Sequence, residues 1–323
     1  MELFAGRYLL VDPIGEGGMG SVWRAWDARR RRYVAAKLLH PSDAGTLLRF
    51  VREQGLRIVH PHVVAPDGWA GDDALVLLTM DLVGGGTLHQ LIGDHGALPV
   101  SYAAVLVDQL LSALAEVHAH GVVHRDVKPA NLLLEPTGRG APVLRLSDFG
   151  ISQVLGQPRL TELAAVMGTY GYLSPEAMAG EDPHPSHDLY AAAVVAHQIL
   201  TGEAPPPEGV VMDDAPPPDV PGPVWDLLGR MLSADPAQRP ADAATARDGW
   251  RAAVAGVPPP EPDADDPVEV FDQLGPLPTG FGPAGPLPAP VADRRRRAAG
   301  IAALVVGALG AVVAVTSAVL LVV

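Results

Sequence analysis

Polar and apolar positions change period several times along this chain. Tyr8–Val11, Ser21–Trp26 and Tyr33–Leu39 are short apolar-rich runs divided by Gly, Asp and Arg clusters, which predicts strands. Ala74–Met80 and Val143–Leu146 read the same way. A helical period appears at Arg49–Glu53, over Asp108–Ala119, and from Asp188 toward Leu200. Strands thus crowd the first eighty positions, and helices dominate beyond them.

The pattern breaks after Val254. Residues 255–293 are rich in Pro and Gly and carry an acidic cluster (Glu261, Asp263, Asp265, Asp266, Glu269, Asp272). Such a stretch buries too little apolar surface to offset its ordering entropy, which predicts a disordered linker. Its Phe271 and Phe281 read as isolated loop aromatics, with docking on another surface as the alternative. Arg294–Arg297 follow, and then residues 298–323 without charge or proline. As a helix, that segment would span roughly 39 Å at about 1.5 Å per residue, enough to cross a ~30 Å hydrocarbon core. The arginines predict a cytoplasmic N-terminal flank lying on anionic headgroups. Small residues at four-residue spacing (Ala303, Gly307, Ala311) suit helix–helix packing and a homodimer.

Composition narrows the chemistry. The 323 residues carry a formal net charge of −14, which argues against nucleic-acid binding. With no cysteine, disulfides, thiolate metal sites and cysteine nucleophiles are excluded. The start, Met1–Arg7, is not a secretory signal. The chain holds two lysines, Lys37 and Lys128, among 23 basic residues. An ammonium is a compact point charge that fits where a planar guanidinium cannot, so these two positions draw attention first. Lys37 ends Val34-Ala35-Ala36-Lys37, and Lys128 lies in the loop His124–Asn131.

Between the first two strands lies Gly15-Glu16-Gly17-Gly18-Met19-Gly20. Such glycines let backbone approach a phosphate. A dinucleotide fold would need a helix right after them, but here a strand follows. Asp148-Phe149-Gly150 stands twenty-two residues after Asp126 and directly behind the strand Val143–Leu146. With these motifs in order over residues 7–254, the chain resembles bacterial, membrane-anchored serine/threonine protein kinases of the eukaryotic (Hanks) type, as found in actinobacteria.

The resemblance implies an α+β fold of two lobes, a small β-rich one and a larger helical one, plus one transmembrane helix. It implies transfer of the γ-phosphoryl of ATP to protein Ser/Thr hydroxyls, with Mg²⁺ (or Mn²⁺) as cofactor; in that family catalysis is mostly positioning and charge stabilisation. Lys37 would pair with the α- and β-phosphates and with Glu53. Gly15, Gly17 and Gly20 would cover the phosphates. Ile14, Val22, Ala35 and Leu133 would sandwich the adenine, Met80 would guard the back of the pocket, and the backbone of Asp81 and Val83 would bond the base. Gly84–Gly86 would free the chain between the lobes. Asp126 would orient the acceptor hydroxyl, Lys128 would steady the γ-phosphate, and Asn131 and Asp148 would hold metal. Thr169 would bond Asp126 and Lys128. Glu176 would pair with Arg239, and Asp188 would anchor the catalytic loop. Arg125 beside Asp126 suggests loop phosphorylation, with Thr161 the first acceptor and Ser152 the second.

Three departures from the family pattern stand out. The stretch from Glu53 to His60 is short, and Arg57 takes an apolar position that Leu56 or Ile58 would have to fill. Prolines between Gly202 and Val224 forbid the usual docking helix. An outer sensor domain, which the family often carries, is not expected after residues 298–323. The competing readings are a pseudokinase or membrane scaffold, and a small-molecule phosphotransferase.

Overall fold

In the computed structural model, residues 3–17, 20–39, 58–71, 75–148, 170–262 and 267–287 are described. Residues up to Pro276 form one unit. Its first part is a five-stranded antiparallel sheet in the order β1 (Tyr8–Gly17), β2 (Gly20–Asp27), β3 (Arg32–Leu39), β5 (Val76–Met80), β4 (Gly68–Gly71). The strand pattern anticipated four of these. β4 escaped it because four residues bounded by glycines carry almost no alternation.

Register decides which side chains share a face. Val22 stands opposite Lys37, and Ala35 opposite Met80. Directly opposed residues point to the same side, as do i and i+2 on one strand. One face of the sheet therefore carries Val22, Ala35, Lys37 and Met80. The other packs Tyr8, Ala25, Val34, Ala36 and Leu77 into a small core.

The helical part opens with α1 (Leu88–His95), which has a capping box: Thr87 caps Gln90 N while the Gln90 side chain accepts from Thr87 N. α2 runs Val100–Ala119, eight residues longer than the periodicity suggests. Its first turns are almost wholly apolar, so they lack the contrast that marks an amphipathic helix. By length and composition α2 could cross a membrane, but it is the core helix of this lobe, with Leu106, Leu110, Leu111 and Leu114 buried. β6 (Leu132–Leu134) and β7 (Leu144–Leu146) form a small hairpin sheet. α3 (Pro175–Ala179), α4 (Pro185–Thr201), α5 (Gly222–Met231) and α6 (Ala243–Ala253) complete the lobe. Between α4 and α5 the proline-rich segment has no helix, and Trp225 Nε1 donates to Asp213 O at 2.9 Å to hold it.

One expectation needs correction. The stretch after Val254 is not uniformly a linker. Val268 and Val270 are buried in the large-lobe core, and Val270 and Gly138 exchange backbone hydrogen bonds of 2.9 and 3.0 Å. Buried Val268 and Val270 alternate with the less buried Pro267, Glu269 and Phe271, and this period of two supplies the apolar face that average composition conceals. Gly84–Gly86 also have a packing role. Gly85 N donates to Leu134 O at 2.8 Å, and a Cβ on Gly85 would lie 2.5 Å from that oxygen. These glycines permit close approach of two backbones.

The second unit begins at Leu277, and its described part is a two-stranded ribbon, β8 (Phe281–Gly282) with β9 (Gly285–Pro286). Phe281 is buried rather than a free loop aromatic, while Phe271, in the first unit, is exposed. The arginine run 294–297 and the apolar segment 298–323 lie outside the described residues.

Candidate active site

β1 and β2 meet at the pair Gly17–Gly20, so the glycine-rich sequence forms the tip of a hairpin. Beneath the sheet, Ala35, Met80 and Val64 are buried together, and Ile14, Val22, Leu82, Val83 and Leu133 pack against them. The five side chains expected around a flat apolar ring thus share one cluster, joined by the side chain of Val83. Val64 and Leu82 are additions that no local pattern marks. Leu133 reaches the cluster because β6 hangs from the hinge, with Leu134 N donating to Gly86 O at 2.9 Å.

Lys37 is buried, and its Nζ lies 2.7 Å from Asp148 Oδ1. Asp148 has φ +56°, a left-handed conformation that costs a non-glycine residue about 1–2 kcal/mol. Such strain persists only where the surroundings over-determine it. Asp148 follows β7, and the loop before it is fastened: Ser147 N and Oγ both donate to Asn131 O, at 2.9 and 3.0 Å.

Asp126 sits in a second cluster. Lys128 Nζ is 2.9 Å from Asp126 Oδ1. Asn131 Nδ2 donates to Asp126 O and to Oδ2, each at 2.8 Å. With its NH₂ group committed to two acceptors, Asn131 has its amide oxygen left to face a cation. That oxygen and the half-exposed Asp148 carboxylate are hard oxygen donors, the chemistry that suits a divalent cation such as Mg²⁺.

The loop carrying Asp126 is held from below by Asp188, on the first turn of α4. This buried carboxylate accepts from His124 N at 2.7 Å and Arg125 N at 2.8 Å, and pairs with His118 Nε2 at 2.8 Å. Arg125 is thereby kept at φ +67°. His124 is fully buried. Its Nδ1 accepts from Asp126 N at 3.3 Å, and its Nε2 donates to Ser147 O at 3.0 Å, which fixes the neutral ring. Burial pushes its pKa below the ordinary histidine value, against the pull of Asp188 and Asp126. The histidines of this region thus serve the loop's geometry.

Arg239 forms a bidentate pair with Glu176, at 2.6 and 2.9 Å, and donates to Ser186 O and Ser233 O. Burial alone would raise the Glu176 carboxyl, but hydrogen bonds from Arg239 and its surroundings outweigh it and hold the pKa low. The pair ties α3 to the start of α4 and so fixes the far side of the loop. A cavity of about 100 Å³ opens beside Asp126, between Val127, Tyr172, Leu173 and Ala191.

Asp81 has a role that sequence reasoning missed. Its carboxylate accepts from Arg32 on β3 at 2.8 Å and from Arg145 on β7 at 3.0 Å, joining the two lobes across the hinge. Burial raises its pKa, and the two guanidinium hydrogen bonds more than reverse that. Glu53, Phe149, Gly150, Ser152, Thr161 and Thr169 lie outside the described residues, as do Leu56 and Arg57. Ile58 is buried in the large-lobe core.

A family model described as a protein kinase domain matches residues 8–250. The chain is 35% identical over 285 residues to the serine/threonine-protein kinase PkaA of Streptomyces coelicolor, a match covering 80% of this chain and 52% of the relative. It is 34% identical over 283 residues to the serine/threonine-protein kinase PknA of Mycobacterium tuberculosis, covering 81% of this chain and 65% of the relative. The serine/threonine-protein kinase PknD of the same organism is 34% identical over 252 residues, or 73% of this chain and 37% of the relative. The aligned region therefore spans about half to two thirds of the length of the first two relatives.

Proposed function

This chain belongs to the protein kinase family, and from that premise we propose that it transfers the γ-phosphoryl group of ATP to Ser/Thr hydroxyls of proteins, itself included. The observation that carries the reading is the pairing of Lys37 with Asp148 beneath an apolar cluster, beside an Asp126–Lys128–Asn131 group.

Adenine enters between Ile14, Val22, Ala35 and Leu133, with Met80 behind it and the Asp81–Val83 backbone at its edge. The hairpin tip at Gly15, Gly17 and Gly20 covers the phosphates. Lys37 exchanges Asp148 for the α- and β-phosphates, and Glu53 is its second partner. Asp126 is already an acceptor on both oxygens, with Lys128 on one and Asn131 on the other. It orients the incoming hydroxyl and takes its proton as oxygen attacks the γ-phosphorus and the bond to the β-phosphate oxygen breaks. Lys128 balances charge on the moving phosphoryl group. Asn131 and Asp148 would hold Mg²⁺, or Mn²⁺, which would supply positive charge against the charge developing on the phosphates. Thr169 steadies Asp126 and Lys128.

Thr161 is the proposed regulatory acceptor, its phosphate pairing with Arg125. Residues 298–323 tether the domain to the cell membrane as a single pass with the kinase domain cytoplasmic, and self-association of that segment is proposed as the route to a dimer. The test is incorporation of labelled phosphate by the purified chain with Mg-ATP, followed by phosphosite mapping. Lys37→Ala and Asp126→Asn should each abolish it. Full incorporation in either variant rejects the assignment, and none in the native chain favours a nucleotide-binding scaffold.

A further inference from the structure

The family match ends at residue 250, yet a later segment returns to the domain. Tyr102 Oη donates to Val268 O at 2.7 Å, and Val270 pairs with Gly138, so the segment is first fixed to the large lobe. Gln273 N then donates to Gly84 O in the hinge at 2.7 Å. Arg24, buried on β2 and paired with Asp12, donates to Gly275 O at 3.0 Å and Pro276 O at 3.3 Å. Residues 267–276 thus touch the large lobe, the hinge and the small lobe in turn.

This course runs along the nucleotide cluster. A Cβ on Gly84 would lie 3.2 Å from Leu274 Cδ1, so Leu274 rests on the hinge backbone itself. A cleft of about 470 Å³ is walled by Asp12–Gly15 on one side and Gln273–Gly275 on the other. Ile14, in the first wall, also belongs to the apolar cluster under the sheet. Leu274, half-buried, faces the same cleft from the second wall.

We propose that residues 271–276 form the outer wall of the nucleotide site, with Leu274 and Ile14 closing on the adenine–ribose edge of ATP. This rests on the kinase reading and extends it: Leu274 is an affinity-determining contact outside the family's matched region. The Gln273–Gly84 and Arg24–Gly275 hydrogen bonds set the wall's distance from the hinge. Apolar burial at Val268 and Val270 offsets the entropy of ordering this segment. By linkage, if the wall tightens nucleotide binding, nucleotide must hold the wall down by the same factor.

The experiment uses the full chain and a non-hydrolysable ATP analogue with Mg²⁺. Affinity is measured by calorimetry for the native chain, Leu274→Ala and Leu274→Asp, and KM for ATP alongside. Leu274→Ala should weaken the analogue and raise KM about three- to tenfold, as expected for losing a partly buried side-chain contact, with kcat within about twofold. Leu274→Asp should weaken it further. Hydrogen exchange at the Val270 and Gln273 amides of the native chain should slow on adding the analogue, a readout independent of any variant's folding. Unchanged affinity in both variants together with unchanged exchange overturns the wall while leaving the kinase reading intact. Failure of the native chain to bind the analogue at all overturns both.

Discussion

Replacing Asp188 by Ala removes the acceptor under the catalytic loop. The carboxylate is buried and takes the amides of His124 and Arg125 at 2.7 and 2.8 Å. Each buried N–H left without an acceptor costs about 1–3 kcal/mol, so the two together cost about 2–6 kcal/mol. Letting Arg125 leave its positive φ returns about 1–2 kcal/mol. The net loss should therefore be about 3 kcal/mol, read as a lower urea midpoint at an unchanged m-value. Activity should fall further than stability does. Arg125 adjoins Asp126, and a displacement of about 1 Å at a catalytic group can cost about 100-fold in rate. KM for ATP should hold, because neither Lys37 nor the apolar cluster touches Asp188. Asp188→Asn keeps one acceptor oxygen and should fall between the two. An Asp188→Ala protein within about 0.5 kcal/mol of the native chain, with kcat within about twofold, would refute the reasoning.

Arg239→Met should destabilise the domain by about 3–5 kcal/mol, because it strands the buried Glu176 carboxylate; the double variant Glu176→Met/Arg239→Met should recover much of the loss in urea unfolding. His124 is held neutral by burial, so its folded pKa lies below its unfolded value of about 6.5. As pH falls through that value the unfolded chain takes up the proton first, and stability present at higher pH is lost, with a slope up to about 1.4 kcal/mol per pH unit. His60, His187 and His197 are lowered by burial too and push in the same direction, so urea midpoints should drop from pH 7.5 to 5.5, and a flat profile would contradict this. Gly85→Ala should cost about 1–3 kcal/mol or more, since its Cβ would meet Leu134 O at 2.5 Å; an unchanged melting temperature would count against the close-packed hinge.

Local pattern carried the strands β1–β3 and β5 because alternation and turn residues are both explicit there. Lys37 was legible because it is one of two lysines among 23 basic residues, and an ammonium fits where a planar guanidinium cannot. Partners distant in sequence were legible only through family resemblance: nothing near Arg239 points to Glu176, 63 residues away. Asp81 illustrates what escaped both routes. Its backbone position was anticipated, but its side chain bridges Arg32 and Arg145, which only the folded hinge brings together. The segment 267–276 escaped through its composition. The Pro-, Gly- and acid-rich stretch 255–293 around it dominates the average, while two valines at period two supply the buried face. The capping box of Thr87 and Gln90 at the start of α1 was not anticipated from the sequence, although its Thr-x-x-Gln spacing is the usual signal.

Crystallography of the chain with a non-hydrolysable ATP analogue and Mg²⁺ tests the central claim most directly. Lys37 Nζ should lie on the α- and β-phosphates, metal on Asp148 and the Asn131 amide oxygen, and Asp126 should face the γ-phosphate. Phosphates bound away from Lys37, with no ion at Asp148, would contradict the claim.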